Sequence, residues 1–103
     1  MIIDHRTYTV QHGRMKEFLA LFEEFGLPVQ LRHLNLVGYF TSVVGPLNEV
    51  IHMWSYDDMG DMERRRAARD ADPDWQSYLK KTAGMVVKQE TKILKPTPFS
   101  PVK

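Results

Sequence analysis

Residues 36–56 read LVGYFTSVV, GPLN, EVIHMWSY: two runs of β-branched and aromatic residues, 36–44 and 49–56, on either side of Gly45-Pro46-Leu47-Asn48. Strand formers separated by turn formers predict a β-hairpin. A three-residue loop over Gly45-Pro46-Leu47 pairs Val44 with Asn48, which sets Phe40 opposite His52 and Gly38 opposite Trp54, with room for the indole over the glycine. One face of the hairpin then carries Leu36, Phe40, Val50, His52, Trp54 and Tyr56, and the other Val37, Tyr39, Val43, Ile51 and Met53. A sheet covered on one side only should alternate apolar with polar. Here both faces avoid water. One face can pack on the chain's own helices, and the other would leave an apolar patch above the roughly few hundred Å² that monomers tolerate. A second copy laid sheet against sheet across a two-fold axis removes it, so a homodimer through the open sheet face is expected. A one-residue slip would change the cross-strand pairs and leave the facing within each strand intact.

Upstream of the hairpin, residues 2–10 (IIDHRTYTV) read as a strand ending at Gln11-His12-Gly13. Met15, Phe18, Leu19, Phe22 and Phe25 then recur at spacings of three and four, an amphipathic helix that Gly26-Leu27-Pro28 should break, with a further turn or two over 29–33. Downstream, Asp57 and Asp58 are natural caps for a helix over 59–71, whose acidic start and basic remainder suit the helix dipole. Asp72-Pro73-Asp74-Trp75 starts a shorter helix carrying Trp75, Tyr78 and Leu79 and closed by Gly84. Residues 85–94 are a last strand, and the proline-rich residues 96–103 an extended tail beyond a single domain of 1–95. Strand, helix, strand, strand, helix, strand is an α+β, ferredoxin-like plan: an antiparallel four-stranded sheet with helices on one face.

Composition narrows the function classes. The 103 residues carry 14 Lys plus Arg against 13 Asp plus Glu, a net charge of +1, and acids interleave with bases; no nucleic-acid interface is expected. With 43% hydrophobic residues the chain should fold, and at this length it builds one core. The absence of cysteine removes disulfides, thiolate metal sites and a cysteine nucleophile, and suits a reducing compartment. No apolar run approaches the roughly 20 residues of a membrane span, and Asp4, His5 and Arg6 interrupt any signal-peptide core, so a cytoplasmic location is expected.

His5, His12, His33 and His52 show no metal-ligand spacing, and no cofactor motif is present; neither metal nor cofactor is expected. His52 lies mid-strand among aromatics, either as a hydrogen-bonded core residue or as an acid/base group or haem ligand. Arg6 shares a strand face with Tyr8 and needs a partner, either Asp4, Glu90 or a helix carboxylate. Alternatively Arg6, Tyr8, His52, Trp54 and Tyr56 line a cleft between sheet and helices, an aromatic box for a small aromatic or anionic ligand. Glu63-Arg64-Arg65-Arg66 with Arg69 and Asp70 has the helical ion-pair spacings Asp61 to Arg65 and Glu63 to Arg66, those of a solvated salt-bridged face. A second possibility makes Arg64, Arg65 and Arg69 a docking stripe for an anion or acidic partner. No nucleophile, base and orienting group can be assembled.

Arg6-Thr7-Tyr8 ahead of Gly13, then Val37-Gly38-Tyr39-Phe40, Gly45-Pro46-Leu47-Asn48, His52-Met53-Trp54-Ser55-Tyr56-Asp57, Glu63-Arg64-Arg65-Arg66, Asp72-Pro73-Asp74-Trp75 and Pro98-Phe99-Ser100-Pro101, in this order, resemble the NIPSNAP family over nearly the whole chain. The resemblance implies a dimeric α/β barrel. Animal members are associated with mitochondria, protein interaction and vesicle trafficking, and bacterial members are small stand-alone domains. This chain lacks the long N-terminal extension of the animal members, so mitochondrial targeting is not expected. The leading expectation is a NIPSNAP-like homodimeric domain that binds a small ligand or a protein partner. The alternative is a cofactor-independent monooxygenase- or isomerase-like enzyme in which Tyr8, His52, Trp54 and Tyr56 hold an aromatic substrate and Arg6 stabilises an oxyanion.

Overall fold

A computed structural model describes all of residues 1–103. Strands β1 (Ile2–Val10), β2 (Asn35–Thr41), β3 (Glu49–Tyr56) and β4 (Val86–Leu94) form one antiparallel sheet in the order β2-β3-β1-β4. Helices α1 (Met15–Leu21), α2 (Leu27–His33), α3 (Met59–Asp70) and α4 (Pro73–Lys81) complete the ferredoxin-like α+β plan. The caps act as their residue types dictate. The Asp58 carboxylate accepts the Asp61 N–H at 2.7 Å, and Asp72, ahead of Pro73, accepts the Asp74 N–H at 3.0 Å. No helix is long and apolar enough to cross a membrane.

The chain does not break at Gly26-Leu27-Pro28. Residues Phe22–Gly26 form a π-turn in which the Leu27 N–H donates to the Phe22 carbonyl five residues back, and the chain runs on into α2 with Pro28 in its first turn. A widened turn accommodates a proline ring that a regular α-turn would press against the carbonyl four residues earlier. Gly26 permits the rest: a Cβ there would lie 2.8 Å from the Phe22 ring and 2.9 Å from the Tyr78 ring. Gly26→Ala should therefore cost about 1–3 kcal/mol through overpacking, read as a lower urea midpoint at unchanged m-value.

The hairpin also differs from its reading. β2 ends at Thr41, and residues 42–48 form a longer loop with Gly45 and Asn48 at positive φ. The pairs are Thr41 with Val50, Phe40 with Ile51, Tyr39 with His52 and Gly38 with Met53; the register then shifts so that Leu36 faces Trp54. A bulge at Val37 is the cause, and a bulge reverses facing within its own strand. Tyr39 therefore joins His52 and Trp54 on the helix-covered face, while Phe40 moves to the open face with Ile51 and Met53. The space above Gly38 is filled by the Phe40 ring, not by the Trp54 indole.

Two clusters form the core beneath the helices. Phe22, Val29, Leu34, Trp54, Tyr56, Trp75 and Tyr78 make the larger, and Val10, Phe18, Val50 and Met85 the smaller. On the open face Val37 and Phe40 remain exposed and Ile51 and Met53 half-buried. The tail does not run straight on from β4. It turns at Ser100, whose N–H donates to the Thr97 carbonyl, and Pro96, Thr97, Ser100 and Val102 border a groove of about 490 Å³ over Ile3, Phe40 and Met53.

Candidate functional site

Cross-strand pairing assembles the site. Arg6 stands opposite His52 and Tyr8 opposite Val50 across β1 and β3, and Tyr39 stands opposite His52 across β2 and β3. Three aromatic side chains on adjacent strands thus share the covered face. Tyr39 stacks on His52 with ring centroids 4.7 Å apart at 11°, Phe22 stacks on Tyr39 at 4.6 Å, and Tyr8 meets the imidazole edge-on at 4.6 Å. These rings floor a cleft of about 240 Å³ between the two core clusters. Trp75, Tyr78 and Leu79 of α4 form its roof, and Thr82, Ala83 and Gly84 with Val86 and Gln89 a third wall.

His52 is 3% exposed and its protonation is set by its neighbours. The Trp54 indole N–H donates to His52 Nδ1 at 2.7 Å, so Nδ1 is the acceptor and the ring proton resides on Nε2. Burial pushes the imidazole pKa down to about 4, helped by the Arg6 charge and opposed by Asp4. A neutral imidazole therefore presents a fixed Nε2–H, and this buried atom has no partner within the protein. An unmatched buried donor costs about 1–3 kcal/mol, and the Tyr56 hydroxyl is the other buried side-chain atom without a partner. The sign of the linkage follows from the lowered pKa. The unfolded histidine takes up a proton near pH 6.5 and the folded one only near 4, so the stabilisation is complete above 6.5 and is lost as pH falls towards 4. We expect a loss of about 3 kcal/mol across that window, measured by urea unfolding at each pH and largely abolished in His52→Gln.

The five sequence-predicted residues divide into two groups. Tyr8 and His52 line the cleft, with Trp54 behind His52 as its hydrogen-bond donor. Arg6 does not line it: its Nε donates to Asp4 Oδ2 at 2.8 Å. Asp4, fully buried, also accepts from the Thr91 hydroxyl and lies 3.7 Å from Arg66. Tyr56 belongs beside this node, where burial pushes its phenol up against the opposing charge of Arg66; its hydroxyl has no protein partner. Tyr39, Phe22, Trp75, Tyr78, Gln30 and Gln89 are lining residues that the sequence reading missed. Glycine within a strand often marks a bulge, so Gly38 was the one signal that could have placed Tyr39 correctly.

The arginine stripe is mostly engaged within the chain. Arg65 pairs with Asp61 at 2.9 Å and donates to the His33 carbonyl. Arg69 is only 7% exposed, forks onto Asp70 and lies over the Trp75 ring at 4.5 Å. Arg66 turns towards Asp4 instead of forming the expected Glu63 pair, and Arg64 makes no ion pair.

The NIPSNAP family model matches residues 3–101. The chain belongs to the NIPSNAP family. A NIPSNAP family protein from Agrobacterium tumefaciens is 40% identical and superposes with a TM-score of 0.97, covering 100% of this chain and 94% of that one. A NIPSNAP domain protein from Burkholderia xenovorans is 33% identical at a TM-score of 0.95, covering 98% and 99%. The human protein NipSnap homolog 3A is 33% identical over 87% of this NIPSNAP chain, which spans only 37% of the human protein's length. A Nitrosomonas europaea protein named for antibiotic biosynthesis monooxygenases shares the fold at 12% identity and a TM-score of 0.68, covering 93% of this chain and 98% of that one.

Proposed function

We propose that this NIPSNAP chain is a cytoplasmic homodimeric domain that holds a small planar molecule in the cleft between sheet and helices. The observation that carries the reading is the cleft itself: Tyr8, Tyr39 and His52 floor it, Trp75 and Tyr78 close it, and no charged side chain lines it. The cleft meets the usual description of a ligand site, mostly apolar walls with a few polar groups. The catalytic alternative asks Arg6 to stabilise an oxyanion, and the guanidinium is instead tied to Asp4 outside the cleft.

The dimer rests on the open face, where Val37, Phe40, Ile51 and Met53 form an apolar strip on β2 and β3 with no helix above it. A two-fold axis through such a strip brings like residues together and needs no second kind of surface. The absence of cysteine accords with a reducing cytoplasm. Native mass spectrometry of freshly purified protein tests both halves. The expected spectrum shows a dimer carrying a small organic adduct that is released on denaturation. A monomer would refute the assembly. A dimer without adduct that binds nothing from a library of small aromatic compounds would refute the ligand site.

A further inference from the structure

We infer that the cleft binds the carboxylate of a small planar acid through the Gln30 side-chain amide, with Arg69 behind that amide as a positioning residue. This rests on the reading of the cleft as a ligand site and names its ligand class. Gln30 lies in α2, is 5% exposed and lines the cleft. Arg69 Nη1, from the last turn of α3, donates to Gln30 Oε1 at 3.4 Å. A guanidinium has donors only, so the amide turns its carbonyl oxygen to Arg69 and its NH₂ group away. That NH₂ group has no partner within the protein. The buried side-chain atoms sealed away without a partner are His52 Nε2 and the Tyr56 hydroxyl; Gln30 Nε2 is not one of them, so it keeps surface on the cleft that its residue lines.

Charge chooses the functional group. Arg69 does not line the cleft, because it forks onto Asp70 and lies over the Trp75 ring at 4.5 Å. Its charge reaches a ligand through the amide it orients. The two members of the Arg69–Asp70 pair are unequally screened, since the arginine side chain is 8% exposed and the aspartate 56%. Burial first, and then the neighbouring Arg66 charge, disfavour the Arg69 cation, and a carboxylate in the cleft would offset both. Burial above all pushes the Tyr39 and Tyr78 phenols up, so each keeps a proton to donate and neither repels an anion. Size chooses the scaffold. A volume of about 240 Å³ falls below the roughly 300 Å³ at which pockets for drug-sized molecules begin, leaving space for one ring or two fused rings. Trp75 and Tyr78, 5.1 Å apart at 32°, supply the aromatic wall against which such a ring packs.

Three planar probes of one shape separate these requirements: benzoate, negative; nitrobenzene, neutral; and benzamidinium, positive. Titrated into the full-length protein at neutral pH and millimolar concentration and followed by saturation-transfer NMR, benzoate should bind more tightly than nitrobenzene by about tenfold or more, and benzamidinium should not bind. The Gln30 side-chain NH₂ resonances of the wild-type protein should shift with benzoate, a readout that needs no variant and survives any folding defect. Gln30→Glu keeps an acceptor for Arg69 and replaces the donor by a carboxylate oxygen, so it should erase benzoate binding and spare nitrobenzene. Arg69→Met frees the amide to turn and should erase the preference for benzoate over nitrobenzene. A merely structural role for the pair would weaken both probes alike in these variants, and would overturn the inference. Equal binding of benzoate and nitrobenzene to the wild type would overturn the carboxylate assignment and leave the ligand site standing. Preference for benzamidinium would overturn the orientation of the amide. Benzoate binding without a shift at Gln30 would overturn its role as the donor. Failure of all three probes to bind would overturn the ligand site itself.

Discussion

Asp4→Ala should lower the unfolding free energy by about 3–5 kcal/mol, the largest stability effect of any single polar substitution in this chain. The carboxylate is completely buried, yet it accepts from Arg6 Nε at 2.8 Å and from the Thr91 hydroxyl, with Arg66 at 3.7 Å. Removing it strands the largely buried Arg6 guanidinium, whose charge cannot be shed because a guanidinium holds its proton throughout the accessible pH range. The cost is therefore that of an orphaned charge and not of one lost hydrogen bond. Urea unfolding of Asp4→Ala, Arg6→Met and the double variant separates these possibilities. The double variant should recover most of the loss, because replacing a buried pair by apolar groups is often close to neutral. A loss of under about 1 kcal/mol in Asp4→Ala would mean that water reaches the node and solvates Arg6.

The node also explains why Arg6 is not the cleft's anion receptor. Arg6 and His52 are direct cross-strand neighbours, and the positive charge is one reason the imidazole remains neutral. Asp4 partly cancels that charge. Stability and the polarity of the cleft are thus linked through two same-face positions on β1, and a substitution at Asp4 should depress the His52 pKa further while it destabilises the sheet.

Element order was legible because its signals are local. Asp58 and Asp72 are capping residues just before periodic runs, and Gly84 lies at positive φ after α4. Asp4 as a partner for Arg6 and Asp61 for Arg65 could likewise be read from short spacings along one strand or one helix. What escaped depends on departures from ideal periods. The bulge at Val37 adds one residue to β2 and transfers Tyr39 to the inner face and Phe40 to the outer. The π-turn at Phe22–Gly26 removes the break that Pro28 would impose on a regular helix and brings Phe22 over Tyr39. Both irregularities border the cleft, and the bulge supplies it with a ring, Tyr39, that ideal geometry would have placed elsewhere. Sequence patterns locate residues on faces by counting, so the site is the region where counting fails first.

Met53→Glu should convert the dimer into a monomer, weakening self-association by more than about a hundredfold. Met53 lies at the centre of the open face, opposite His5 on β1 and Gly38 on β2, with the Phe40 ring beside it. In a sheet-to-sheet dimer the two-fold axis duplicates every substitution, so two carboxylates would be buried facing an apolar surface, at a cost of several kcal/mol each. In a monomer the same side chain would be solvated, and the fold should persist with an unchanged far-ultraviolet circular dichroism spectrum. Leu31→Glu is the matched control: Leu31 is an exposed apolar residue on α2, on the helical side of the molecule, and its charge should leave association intact. Light scattering coupled to size exclusion at micromolar concentration reads all three proteins. Wild type and Leu31→Glu should show twice the chain mass and Met53→Glu the chain mass alone. A dimer that tolerates Met53→Glu and breaks with Leu31→Glu would move the interface to the helices, and with it the explanation of why both surfaces of the hairpin avoid water.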